Sequence, residues 1–146
     1  MDFSLTGPIN IINIHVKRYR IIIYIECSKN ALYCNEWSAK KILKDFPSLS
    51  QHLCRNNNEL DFIDNLKHTS IPHIFEHLII DSQISHFKKI NKKVEVFGIS
   101  KWENSLKNDG YKRARIEVSF IDDCVALNCI FKCVNYLNKT ISEQII

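Results

Sequence analysis

The stretch Ile9-Asn10-Ile11-Ile12-Asn13-Ile14-His15-Val16-Lys17-Arg18-Tyr19-Arg20-Ile21-Ile22-Ile23-Tyr24-Ile25-Glu26-Cys27 sets the architecture. Ile12, Ile14 and Val16 alternate with Asn13, His15 and Lys17; Ile21, Ile23 and Ile25 then alternate with Ile22, Tyr24 and Glu26. A period of two over β-branched residues is the signature of strands. The polar break Lys17-Arg18-Tyr19-Arg20 reads as a hairpin turn, so the two strands are expected to pair antiparallel, with His15 on the surface.

Working outward, the apolar spacing changes to that of helices. Asn35 to Phe46 is amphipathic, with Trp37, Ile42 and Phe46 expected on the buried side and Pro47 ending the helix. A short helix is expected over Ser48 to Cys54, and another over residues 60 to 67. A third helix begins near Pro72 and runs to about Ile90. Val94 to Phe97 and Arg115 to Ile121 read as strands, and Asp122 is placed to cap a final helix over roughly Asp123 to Asn138. Strands and helices in separate blocks predict an α+β fold, a small mostly antiparallel sheet with helices packed on one face. With 146 residues, the whole chain (residues 1–146) is expected to form a single domain around one core.

Composition narrows the function classes. A net charge of +4 with both signs interspersed gives little pull toward anions, and the basic run His86 to Lys93 lacks any nucleic-acid motif. No apolar run spans a bilayer and the amino terminus has no secretory pattern, so a cytoplasmic protein without membrane or nucleic-acid partners is expected. Six cysteines without a C-x-x-C pair read as reduced thiols, Cys129 and Cys133 on a buried helix face.

The chemistry concentrates in Ser70-Ile71-Pro72-His73-Ile74-Phe75-Glu76-His77. Ser70 can cap and Pro72 fits a first helical turn. At about 100° per residue, positions 73, 76 and 77 share one arc, so both imidazoles can reach one ion while Ile74, Phe75, Leu78 and Ile79 hold the helix to a core. His-x-x-Glu-His is the inverted form of the zincin signature, with histidines on zinc and the glutamate as catalytic base. The same five residues also arise by chance, with the histidines on backbone carbonyls and Glu76 solvated. A third ligand has to come from elsewhere. Glu117 is preferred, on a strand near the middle of the sheet; Glu103, Asp122, His52 and Cys54 are the alternatives. Asp81, four residues after His77, is placed to orient that imidazole, and Lys101 to bind a substrate carboxylate or an oxyanion.

Several ordered blocks give a wider likeness: Phe46-Pro47-Ser48-Leu49 with His52 and Cys54, then His73 to His77 continuing to Asp81 and Gln83, then Gly98 with Ser100-Lys101 and a strand-helix ending. On these the chain resembles, over roughly residues 45 to 138, the amino-terminal domain of cyanophycin synthetase, with Leu53 where that family usually has arginine. The synthetase's ATP-grasp and Mur-ligase-like modules do not fit this length, and no phosphate-binding glycine loop is present, so ATP-dependent ligation is not expected. The resemblance implies a small zinc hydrolase that cuts peptide or isopeptide bonds in an aspartate-arginine polymer. Its alternative is a non-catalytic module that binds such a polymer or a partner synthetase.

Overall fold

A computed structural model describes residues 7–52, 66, 68–103 and 110–144. Four strands, β1 (Ile9–Val16), β2 (Arg20–Ser28), β3 (Gly98–Trp102) and β4 (Tyr111–Ser119), form one antiparallel sheet in the order β1-β2-β4-β3. Three α-helices, α1 (Glu36–Asp45), α2 (Ile71–Lys88) and α3 (Asp123–Gln144), accompany it, with a short 3-10 segment over Pro47–Gln51. The fold is α+β, with the helices packed on the sheet. Among the described residues no helix is long and apolar enough to cross a membrane.

The β1–β2 hairpin closes through Lys17 N–H donating to the Arg20 carbonyl at 2.8 Å. The alternation along β1 is broken once, where the register shifts between Ile11 and Asn13. A bulge adds one residue to one strand. Its effect is that Ile9 and Ile11 pair with Cys27 and Ile25, Ile14 pairs with Ile23, and Ile12 is left 43% exposed. On β2 and β4 the alternation is regular: Ile21, Ile23, Ile25 and Cys27, with Ala114, Ile116 and Val118, are buried in the core. Cys133 joins that core, and burial pushes its thiol and that of Cys27 up to about 12, as suits small hydrophobes. The five described cysteines are free thiols.

Several element boundaries move for identifiable reasons. Val94 to Phe97, expected as a strand, forms none, its one backbone link to β4 being Ser119 N–H to the Phe97 carbonyl, and the strand is Gly98–Trp102 instead. In the β3–β4 register Gly98 faces Val118, so residues 94–96 would have to pair with 120–122, where the chain already turns into α3. β4 ends at Ser119 for the same reason and begins earlier, at Tyr111, because Tyr111 to Arg113 continue the ladder onto Ser28 to Glu26. Asp122 does cap α3, its Oδ1 accepting from Val125 N–H at 3.0 Å, and α3 runs to Gln144 because Thr140 and Ile141 are still buried. Trp37 is 47% exposed rather than buried. The buried side of α1 is Ser38, Ala39 and Ile42, and Trp37 lies about 100° off that stripe. The helix expected over residues 60–67 lies outside the described residues, apart from buried Leu66.

The two long helices divide the sheet. α3 packs toward β1, where Asn138 accepts from Ile9 N–H at 2.8 Å and donates to its carbonyl at 2.9 Å. α2 lies over β3 and β4, against α3 on one flank and the 3-10 segment on another. Enclosed this way, α2 buries residues all round its circumference, including Glu76, His77, Asp81 and Gln83. A helix apolar on one stripe would sit at the surface, whereas this one is central to the molecule.

Candidate metal centre

α2 starts as its sequence dictates. The Ser70 side chain accepts from His73 N–H, and Pro72 occupies the first turn, where its missing N–H costs nothing. One turn further, the ligand atoms of His73, Glu76 and His77 all lie within 4.8 Å of one another, so the group can hold a metal ion. Nε2 of His73 and Nε2 of His77 are 3.0 Å apart, and Glu76 Oε2 is 3.9 Å from His77 Nε2. Two nitrogens at that spacing can both approach an ion to the about 2.0–2.1 Å of a zinc–imidazole bond.

Behind the pair runs a chain of hydrogen bonds. His77 Nδ1 meets His52 Nδ1 at 2.8 Å, His52 Nε2 meets Asp81 Oδ1 at 3.1 Å, and Ser48 Oγ donates to the same carboxylate at 2.7 and 2.9 Å. A carboxylate only accepts, which makes His52 Nε2 a donor and, in the neutral ring, His52 Nδ1 an acceptor. His77 Nδ1 then carries the proton, and His77 Nε2 presents its lone pair toward His73. That is the tautomer a metal requires, set by residues that do not touch the ion.

Glu76 is fixed from the sheet. Its carboxylate takes a hydrogen bond from Ser100 on β3. A β-carbon placed on Gly98 would lie 2.9 Å from Glu76 Cγ and 3.0 Å from Ile80 Cδ1, so only glycine lets β3 come this close to α2. Burial governs the charge states. Desolvation lifts the Glu76 carboxyl to about 7 against the pull of the Ser100 bond. Desolvation, reinforced by the neighbouring His73 and His52, drops His77 to about 3, and burial also lowers His73. The imidazoles are therefore neutral at pH 7, ready to act as ligands, while Glu76 is poised between base and acid.

The residues named from sequence fall into three places. His73, Glu76 and His77 converge. Asp81 and His52 stand behind them, and Asp81 orients His77 through His52 rather than directly. Glu117 and Lys101 lie elsewhere. The β4 residues that face the helices are Ala114, Ile116 and Val118, so Glu117 projects from the opposite face, where Arg115 and Arg20 hold it at 2.9 and 3.4 Å. Lys101, one position off Ser100 and paired with Arg115, shares that face. A position near the middle of the sheet was legible; which face it served was a matter of one residue of register. Glu103 pairs with the backbone of Arg113, Asp122 caps α3, and Cys54 lies outside the described residues. Among the described residues Glu76 itself is thus the third ligand-type side chain within reach of both imidazoles. The other such group, Asp122, Asp123 and Cys124, is exposed at the start of α3.

Ser48, Ser100 and Gly98 were not singled out as contributors. They entered only through the blocks that carry the resemblance, Phe46-Pro47-Ser48-Leu49 and Gly98 with Ser100-Lys101, without a role at the site. Ser48 and Asp81 also line a cleft of about 580 Å3 between α2, the 3-10 segment and the start of α3, shared with Lys89 and Lys132. Comparison with family models, with curated proteins and with solved structures returns no match to this chain.

Proposed function

We propose that the chain is a zinc-dependent hydrolase of peptide or isopeptide bonds, acting on a cyanophycin-like aspartate-arginine polymer and working beside the enzyme that makes it. The observation that carries this reading is the convergence, on one turn of α2, of the His73 and His77 imidazoles, 3.0 Å apart at Nε2, with the Glu76 carboxyl. The two imidazole nitrogens suit zinc, which takes nitrogen and oxygen ligands, and with Glu76 as the proton acceptor the described residues supply two of the three protein ligands usual in a catalytic zinc site. When bound, zinc would polarise a carbonyl and lower the pKa of water to about 7. Glu76 would take up the proton released in hydrolysis and pass it to the leaving amine, a role matched to a carboxyl that titrates near pH 7. His73 and His77 would hold the ion, and the His52–Asp81–Ser48 chain would keep His77 in register. The polymer itself is suggested by the resemblance in the His73 to Gln83 block.

The test is metal content and cleavage measured together. Purified protein should bind about one zinc per chain, the His73→Ala, His77→Ala double variant should lose it, and mass spectrometry should show polymer shortened by wild type. Glu76→Gln should keep its fold and lose cleavage. Zinc-loaded wild type that binds polymer without shortening it would replace the hydrolase by the binding module, and stoichiometric zinc in the double variant would remove the site.

A further inference from the structure

From the placement of the cluster on α2 and the pairing of β3, we infer that an extended acidic peptide docks by adding a strand to the free edge of β3, beneath His73 and His77. This rests on the hydrolase reading for its consequence, though not for its geometry. Among the described residues, β3 is an edge in the sheet order β1-β2-β4-β3. Ser119 N–H donates to the Phe97 carbonyl and Glu103 N–H to the Arg113 carbonyl. Hydrogen-bonded pairs alternate in an antiparallel ladder, so Ile99 and Lys101 also bond toward β4 while the backbone groups of Gly98, Ser100 and Trp102 point outward. None of these three outward groups has a backbone partner among the described residues. Such a row of open donors and acceptors is a template for another strand.

The helix supplies the second half of the geometry. At about 100° per residue, Glu76, Ile80 and Gln83 share the side of α2 that meets the sheet, where they touch Gly98, Ser100 and the Ser119 carbonyl. Ser82 lies on the flank facing α3, where it meets Cys133. His73 and His77 fall on the flank away from α3. Because α3 covers the β1 side of the sheet, that flank is turned toward the β3 side, with His52 and the 3-10 segment also packed against it. A strand added there would run about 4.8 Å from β3 and pass its carbonyls below the imidazoles. Exposed Lys101 on the other face favours a strand bearing carboxylates.

Amide-resolved hydrogen exchange by NMR tests this, using a capped aspartate decapeptide as probe on zinc-loaded Glu76→Gln protein. Ile99 and Lys101 should be protected throughout. Gly98, Ser100 and Trp102 should exchange freely alone and slow at least tenfold with peptide, and a probe N-methylated at alternate residues should lose this effect. Failure to bind, binding that leaves the three amides fast, or equal binding of the N-methylated probe would each overturn the proposal. Edge protection without cleavage by wild type would leave the docking mode standing and defeat only the hydrolase reading. Cleavage without edge protection would do the reverse.

Discussion

Replacing Asp81 by asparagine would disturb zinc binding without touching either ligand. Asp81 accepts from Ser48 at 2.7 and 2.9 Å and from His52 at 3.1 Å, and it is 5% exposed. Asparagine keeps the shape but offers one acceptor and one donor group. If its oxygen stays on His52, the amide nitrogen faces Ser48, which can turn to accept, and little changes at the metal. If its nitrogen faces His52, that ring must accept at Nε2 and carry its proton on Nδ1. His77 Nδ1 then becomes the acceptor and Nε2 the protonated atom, which cannot ligate. Losing this support costs about 10–100-fold in metal affinity in comparable sites. Loss of charge-assisted bonds adds a fold penalty of about 1.5–3 kcal/mol. Competition titration against a chromophoric chelator gives the affinity, and long-range nitrogen–proton NMR of the imidazoles reports which nitrogen of His52 and His77 is protonated. An Asp81→Asn variant in which His52 has moved its proton to Nδ1 while His77 keeps its own on Nδ1 and binds zinc as wild type does would show that the chain of hydrogen bonds does not set the ligand's tautomer.

Gly98→Ala should destabilise by about 1–3 kcal/mol, the usual range for overpacking, because the new methyl meets Glu76, Ile80 and, at 3.1 Å, the Glu117 carbonyl; an unchanged melting temperature would contradict the close approach of β3 to α2. Glu117→Gln should leave zinc affinity unchanged, and a tenfold loss in titration would return Glu117 to the ligand set. For metal-free protein the pH dependence has two opposed parts. His77, ordinarily 6.5 and about 3 when folded, removes stability as pH falls below 6.5, while Glu76, ordinarily 4.5 and about 7 when folded, removes it as pH rises from 4.5 through 7. Glu76→Gln should expose the histidine part alone, a decline in urea-unfolding free energy below pH 6.5 of up to about 1.4 kcal/mol per pH unit for each imidazole, His73 being lowered in the same direction as His77, and a flat profile between pH 6.5 and 4.5 would rule it out.

The fold was legible where local and long-range signals agreed. The β1–β2 hairpin, the start of α2 at Ser70 and Pro72, and the cap at Asp122 each follow from a few adjacent residues. Where a long-range partner decides, sequence was a weaker guide. Val94 to Phe97 has the composition of a strand, yet its pairing was fixed by where β4 ends. Glu117 sits on the expected strand, but adjacent strand residues face opposite sides, so a strand assignment alone left its role undetermined. The three helix-borne residues were readable because helical geometry alone puts them together. Ser48 and Ser100 reach the cluster from other elements, 28 and 24 positions away from Glu76 in the chain, so only tertiary packing reveals their part, whereas His52, 24 positions away, was already a candidate in the sequence.

The metal-free site contains a conflict that a cation would relieve. His73, Glu76 and His77 are wholly or partly buried, and burial penalises the charged form of each. Asp81 is held by two donors, whereas Glu76 has the Ser100 bond and stays half protonated near pH 7. A divalent ion between the imidazoles would favour ionised Glu76 and take the lone pairs of both rings once the proton that His73 Nε2 donates to His77 has moved to its Nδ1. Binding should therefore release a proton from Glu76 on top of any from the ligands, and the effect should be largest where the carboxyl is still protonated. Calorimetric zinc titration in two buffers of different ionisation enthalpy, at pH 6 and pH 8, measures this. Wild type should release more protons at pH 6, Glu76→Gln should lose most of the excess, and equal release by both proteins at pH 6 would mean that Glu76 does not feel the ion.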